Sequence, residues 1–177
     1  MRTSRRVSDE GFTLIELLMV VAIIGVLAAL ATPGLLKARL AGNEASAIGS
    51  MRAVNSAQAS YSSSCAFGRY GASLDALVVP PTGSTAGYIS PDLNTNGVAK
   101  SGYVVSIGVG AIAMPTGIAC NTVLPSVPSY FGEAHPSLIG STGQRSFGTD
   151  QRGTIYQDPT GATFTQATVA SATSPVQ

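Results

Sequence analysis

Residues 12–36 form an unbroken apolar run of 25 residues, FTLIELLMVVAIIGVLAALATPGLL, with Glu16 as its one charge. As an α-helix rising 1.5 Å per residue, it is about 37 Å long, enough to cross a hydrocarbon layer of about 30 Å. An acidic side chain in lipid is expensive and needs a partner. No Lys, Arg or His occurs between Glu16 and Lys37. A cation comes close only if the chain is cut after Gly11, which frees an amine on Phe12. The run therefore reads as a segment made to be clipped and then to give Glu16 a positive partner.

Three plainer readings compete. Ala29-Leu30-Ala31 has the A-x-A form of a signal peptidase site. The apolar stretch ahead of it exceeds the usual 7–15 residues of a signal peptide, and an internal acid fits such a stretch poorly. An ordinary membrane anchor explains the length and leaves Glu16 unpaired. A buried core helix of this length is out of scale for one modest domain.

The leader and its continuation, Gly11-Phe12-Thr13-Leu14-Ile15-Glu16 followed by about twenty apolar residues, resemble a type IV prepilin or a type II secretion pseudopilin. The resemblance implies a leader peptide, residues 1–11, removed between Gly11 and Phe12 by a prepilin peptidase that also N-methylates Phe12. It further implies packing of the apolar helices in the core of a filament, with Glu16 directing assembly. It implies an α+β fold: a long N-terminal helix, membrane half 12–36 and amphipathic half 37–64, packed on a small antiparallel β-sheet within a β-rich head, residues 65–177. In pilins the stretch between a glycine and a proline at the offsets of Gly25 and Pro33 can melt in the assembled filament. A simple kink at Pro33 is the alternative, since proline removes a helix donor and clashes with the preceding turn.

Arg2, Arg5 and Arg6 precede the span and place the N-terminus in the cytoplasm, although Lys37 and Arg39 beyond it weaken the asymmetry. The expected location is thus the inner membrane as a single-pass protein, then a surface pilus or a periplasmic pseudopilus. The expected partners are copies of itself or other pilins, the peptidase/N-methyltransferase and the inner-membrane assembly platform.

Charged residues make up 11% of the chain and apolar residues 45%. The leader carries three Arg against Asp9 and Glu10, which leaves seven basic and seven acidic residues beyond it. No basic field points to nucleic acid. Cys65 and Cys120 lie in the part expected to be exported, where a disulfide between them is plausible. Closing a loop of about 56 residues would stabilise by about 4 kcal/mol on chain-entropy grounds. Two unpaired buried thiols are the alternative.

Past the span, Leu36, Leu40, Ala47, Ile48, Met51, Val54, Gln58 and Tyr61 recur at helical steps and predict an apolar stripe covering a sheet. Asn43, Glu44, Ser46, Arg52 and Asn55 fall on other faces, read as solvated or subunit-facing. Ser62-Ser63-Ser64-Cys65 ends the helix. Asn43–Tyr61 also resembles the outer half of the first helix in bacterial pilin-like proteins. Leu74–Val79 is a short helix turn or strand, and Tyr103–Val109 alternates as a strand. Ser146–Thr149 and Thr154–Gln157 flank the turn Asp150-Gln151-Arg152-Gly153 as a hairpin. A turn at Asp158–Gly161 leads to a possible strand at Ala162–Gln166, and the tail after Thr168 reads as frayed. The segments Lys100–Tyr103 and Thr142–Tyr156 resemble, more weakly, parts of pilin-like C-terminal domains.

Asp92-Leu93-Asn94-Thr95-Asn96-Gly97 opens like a calcium loop, but position nine is Lys100 and position twelve is Tyr103, so an Asn-rich turn is the better reading. His135 is remote from other metal ligands in sequence and reads as a surface residue. No catalytic residue, metal site or cofactor is expected, and no G-x-S-x-G elbow or phosphate-cradling loop occurs. The sequence thus predicts a structural pilus subunit, with two alternatives: a pseudopilin of a type II secretion or DNA-uptake machine, and a monomeric membrane-anchored binding module.

Overall fold

Alternation along Tyr103-Val104-Val105-Ser106-Ile107 organises the middle of the head. Tyr103, Val105 and Ile107 are buried on one face, and Val104 and Ser106 lie half-buried on the other. The computed structural model describes residues 11–112, 116–121 and 125–176. The leader, apart from Gly11, lies outside the described residues. These form two units, one ending at Ala38 and one beginning at Arg39.

Helix α1 runs Leu14–Ser64, and Pro33 lies inside it. After it come α2 (Leu74–Val78), a 3₁₀ turn (Pro91–Leu93), strands β1 (Val98–Lys100), β2 (Tyr103–Val109), β3 (Tyr130–Pro136), β4 (Ser146–Asp150) and β5 (Ile155–Asp158), and α3 (Gln166–Ala170). The strands form one antiparallel meander in chain order. The chain is therefore α+β: a long N-terminal helix whose outer half packs on a five-stranded antiparallel sheet.

Within the head, the stripe of α1 supplies Ala47, Met51, Val54, Ala57 and Tyr61 to a core shared with Tyr103, Val105, Ile107, Tyr130, Ala134 and Phe147. Burial of such side chains stabilises by about 1.5–3 kcal/mol for each large one. The stripe is narrower than its sequence pattern, for Leu36 is exposed and Leu40 half-buried. Cys65, just past the end of α1, is disulfide-bonded to Cys120 with the Cα atoms 4.9 Å apart. Lys100-Ser101-Gly102-Tyr103 joins β1 to β2, and Ser101 and Gly102 both have positive φ, 49° and 74°. Two consecutive left-handed residues make the tight hairpin whose twist matches its strands.

The hairpin at Asp150–Gly153 forms as expected: Thr149 faces Ile155, and the Gly153 N–H donates to the Asp150 carbonyl at 2.8 Å. The Asp158–Gly161 turn is also present, with the Thr160 N–H and hydroxyl both donating to the Asp158 carboxylate. Leu74–Val79 resolves as helix, not strand.

Three expectations are corrected here. The possible strand at Ala162–Gln166 is instead a loop that starts α3. Thr165 caps that helix, its side chain accepting the Thr168 N–H while the Thr168 hydroxyl accepts the Thr165 N–H. Such reciprocal capping fixes a helix start and competes with extension. The tail after Thr168 is not frayed. Val169 is fully buried, and the tail pairs with β5 through Gln157 N–H to the Ser174 carbonyl, 2.9 Å, and Val176 N–H to the Ile155 carbonyl, 2.8 Å. Its apolar residues join Tyr156, Phe164 and Phe131 in a second, smaller cluster on the sheet face turned away from α1. Gly148 makes room for it, because a Cβ there would lie 2.7 Å from Phe164 Cγ and 2.8 Å from Val169 Cγ2. Third, the polar residues of outer α1 are not simply solvated. Asn43 Nδ2 donates to the Thr142 carbonyl at 2.8 Å, Ser46 bonds Ser101 at 2.9 Å, and Asn55 Nδ2 donates to the Gly153 carbonyl at 3.0 Å. Arg52 remains exposed.

Candidate functional site

The N-terminal segment is built from very few groups. Gly11, Phe12 and Thr13 precede α1, and every side chain from Phe12 to Leu36 is exposed. Phe12 is 84% exposed and Leu14 77%. A helix that keeps so many apolar side chains uncovered needs lipid or other helices around it.

Glu16 sits in the first turn of α1. The Thr13 N–H donates to Glu16 Oε2 at 3.0 Å, the Thr13 hydroxyl donates to the same oxygen at 2.7 Å, and the Glu16 N–H donates to Thr13 Oγ1 at 3.3 Å. Thr-x-x-Glu at 13–16 is thus a capping box, satisfying helix donors that have no intrahelical partner. The expectation that Glu16 stays without a local partner in the uncut chain is corrected in part. Thr13 supplies hydrogen bonds but no positive charge, and among the described residues no ion pair reaches Glu16. Thr13 is the functional residue that sequence reasoning missed, and the T-x-x-E spacing was its signal.

In the isolated subunit α1 passes through both Gly25 and Pro33 without interruption. Pro33 offers no N–H to the preceding turn. Close by, the Thr32 hydroxyl donates to the Ala28 carbonyl at 2.8 Å, a local bond that commonly accompanies a bend.

In the head, Glu44 is the strongest polar anchor of α1 on the sheet. It is 8% exposed, and Oε1 accepts the N–H groups of Gln144 and Arg145 at 3.0 and 3.2 Å. Oε2 accepts Arg145 Nε and Nη2 at 2.9 and 2.6 Å, and Arg145 Nη1 also donates to Gln157 at 2.7 Å. Glu44 was expected on a solvated face, and this network corrects that reading. Burial pushes the Glu44 carboxyl up, but the Arg145 guanidinium and the two backbone N–H groups outweigh it and hold the pKa below the ordinary carboxylate range.

His135 is likewise not a plain surface residue. It lies on β3 with Nδ1 2.8 Å from Oε2 of Glu133, which is 5% exposed. Burial raises the Glu133 pKa, against the opposing hydrogen bond and charge of His135 and the Ser106 hydroxyl.

The two carboxylates oppose each other in their response to pH. Glu44 contributes stability that is complete above its unfolded value of about 4.3 and is lost as pH falls through its lowered folded value. Glu133 contributes in the reverse sense, fully below about 4.3 and lost as pH rises through its raised folded value. Glu44→Gln is therefore expected to lower stability at neutral pH by about 1–3 kcal/mol, with the gap to wild type closing in acid. Glu133→Gln is expected to gain on wild type as pH rises. Thermal unfolding of the full chain in detergent across this range checks both, and parallel pH profiles for the two variants would contradict the opposition.

The Asn-rich turn serves packing. Asn96 Oδ1 accepts the N–H groups of Leu74 and Ile107, each at 3.1 Å, and Nδ2 donates to the Ile107 carbonyl at 2.7 Å. Asp92 is paired with Lys100. Among the described residues no group of three His, Cys, Asp or Glu is placed to hold a metal ion.

A family described as the prokaryotic N-terminal methylation motif matches residues 6–32, the segment that holds Gly11, Phe12, Thr13 and Glu16. The chain is also similar to the type IV major pilin protein PilA of Myxococcus xanthus (strain DK1622), with 45% identity over 62 residues. That match covers 34% of this chain and 28% of the relative. No solved structure matches. The chain thus resembles a type IV pilin in its matched motif, in its similarity to PilA and in its long helix on an antiparallel sheet.

Proposed function

We propose that the chain is a prepilin, cut between Gly11 and Phe12, N-methylated on Phe12 and polymerised into a type IV pilus. The observation that carries this reading is the Gly11–Glu16 motif at the start of an exposed apolar helix, with one capped and uncompensated carboxylate in its first turn. Cleavage turns the Phe12 amide into an amine, and methylation keeps that amine cationic at neutral pH. Glu16 lies four residues from it and meets either this amine or that of a neighbouring subunit. In the second case the pair fixes the axial register of one helix on the next. Gly25 and Pro33 bound the stretch that would open when helices crowd together, with neighbours satisfying the freed backbone groups.

Before assembly the subunit would sit in the inner membrane with its N-terminus in the cytoplasm, served by the peptidase/N-methyltransferase and an assembly platform. Afterwards it would lie in a surface fibre as a homopolymer or a copolymer with other pilins.

Mass spectrometry of the mature N-terminus tests the reading. The expected first residue is N-methyl-Phe12. A chain starting at Thr32 would restore the signal-peptide reading, and a chain with its first eleven residues retained in normal fibres would overturn the mechanism. Electron microscopy of sheared surface fibres separates a pilus from a secretion pseudopilus.

A further inference from the structure

We infer that the head carries a binding cleft for a neutral carbohydrate. The cleft, about 550 Å³, lies between the outer half of α1, the segment that follows Cys65 and the β4–β5 turn, and among the described residues none that lines it is charged. Its volume is within the range of small-molecule sites, about 300–1,000 Å³.

The floor is rigid. The Tyr130 hydroxyl donates to Asn55 Oδ1 at 2.9 Å, and the Thr149 hydroxyl donates to the same oxygen at 3.0 Å. Asn55 Nδ2 is held by the Gly153 carbonyl, and the Tyr70 ring tilts against Tyr130 with centroids 5.0 Å apart. The rim is the opposite of a relaxed surface. Phe67 is 89% exposed and has φ 53°, a left-handed conformation that is costly for a residue with a Cβ. It is kept there by the disulfide two residues earlier and by the Gly68 N–H donating to the Ser62 carbonyl at 2.9 Å. A phenyl ring is thus held in water at the mouth of a cleft.

Three polar groups on the wall, the Tyr70 phenol, the Ser62 hydroxyl and the Gln151 side-chain amide, have no hydrogen-bond partner among the described residues. A phosphate- or carboxylate-bearing ligand would find no cation on this wall. A purely apolar ligand would cover these three groups and leave them unsatisfied, which is costly. A pyranose meets both conditions: its C–H face lies on the Phe67 ring while its hydroxyls bond the amide, phenol and serine.

The test is NMR titration of the labelled full chain in detergent with maltotriose, cellotriose and chitotriose, each up to about 10 mM, a range that reaches weak sites. At least one trisaccharide is expected to give saturable shifts at Phe67, Gly68 and Gln151. Phe67→Gly keeps the left-handed backbone and is expected to weaken binding about tenfold without lowering the thermal midpoint. Gln151→Ala, on an exposed turn, is expected to weaken it as well. The inference is overturned if none of the three sugars saturates, if Phe67→Gly binds as well as wild type, or if an oligoproline peptide fills the cleft and the sugars do not.

Discussion

Glu16→Val is expected to abolish fibres while leaving the protein in the membrane. The substitution keeps the apolar run and removes its one charge, so insertion should improve if it changes at all. Assembly loses twice. On the proposed processing, the freed Phe12 amine would be left without a carboxylate, and an unpaired charge buried among helices is strongly destabilising. The Thr13–Glu16 box also loses its acceptor, which frays the first turn. Sheared fibre mass per cell is expected to fall by about a hundredfold or more, since the loss recurs at every subunit. Fractionation and fibre yield measure the two halves of this prediction separately. Normal fibres from the variant would mean that Glu16 does not direct assembly. A membrane-anchored binding module would be indifferent to the change.

The second large effect is on the head. Cys65→Ser with Cys120→Ser removes a link that closes a loop spanning 55 positions. The loss is expected to be about 4 kcal/mol on chain-entropy grounds, which lowers the thermal midpoint of a head this size by about 10–20 °C. The site makes the loss more than entropic. Cys65 and Cys120 are packed against the main core, the Cys120 N–H donates to the Cys65 carbonyl at 3.1 Å, and Tyr88 stacks edge-on to Tyr61 beside them. Two serines would bring hydroxyls into that packing. Tyrosine near-ultraviolet dichroism of the full chain, with and without reductant, follows the transition. A change under about 1 kcal/mol would show that packing alone holds this end of the head.

Much of the molecule was readable residue by residue. The apolar start of α1 was legible because its chemistry is contiguous: a Gly-Phe step, a carboxylate and a long apolar run all stand within residues 11–36. Strand β2 was legible from its alternation, and the β4–β5 hairpin from the Asp150–Gly153 turn. Strand β3, at the centre of the sheet, was not. Its inward positions include Gly132 and Ala134, small because α1 lies close, and its outward positions include the buried Glu133 and the half-buried His135, which bond each other. Neither set resembles a strand until the partners are in place. Glu44 was misread for the same reason, since its burial depends on Arg145, 101 positions away. Thr13 differs, because the T-x-x-E pattern was visible and its meaning as a cap was overlooked. The α3 start was lost to a competing signal: Thr163, Phe164 and Thr165 favour extension, and the Thr165–Thr168 cap decides against it.

The backbone pairing of residues 174–176 with β5 has a consequence for a head that, in the proposed filament, would be crowded among copies of itself. A sheet ending on bare amide and carbonyl groups invites any extended chain nearby to add itself there, in whatever order chance provides. By laying its own final stretch along that margin, with Pro175 presenting no N–H of its own, the head withdraws the offer. Strand-wise addition is thereby blocked at the β5 margin, and the opposite margin is the three-residue β1; in the proposed filament, association would then fall to the helices.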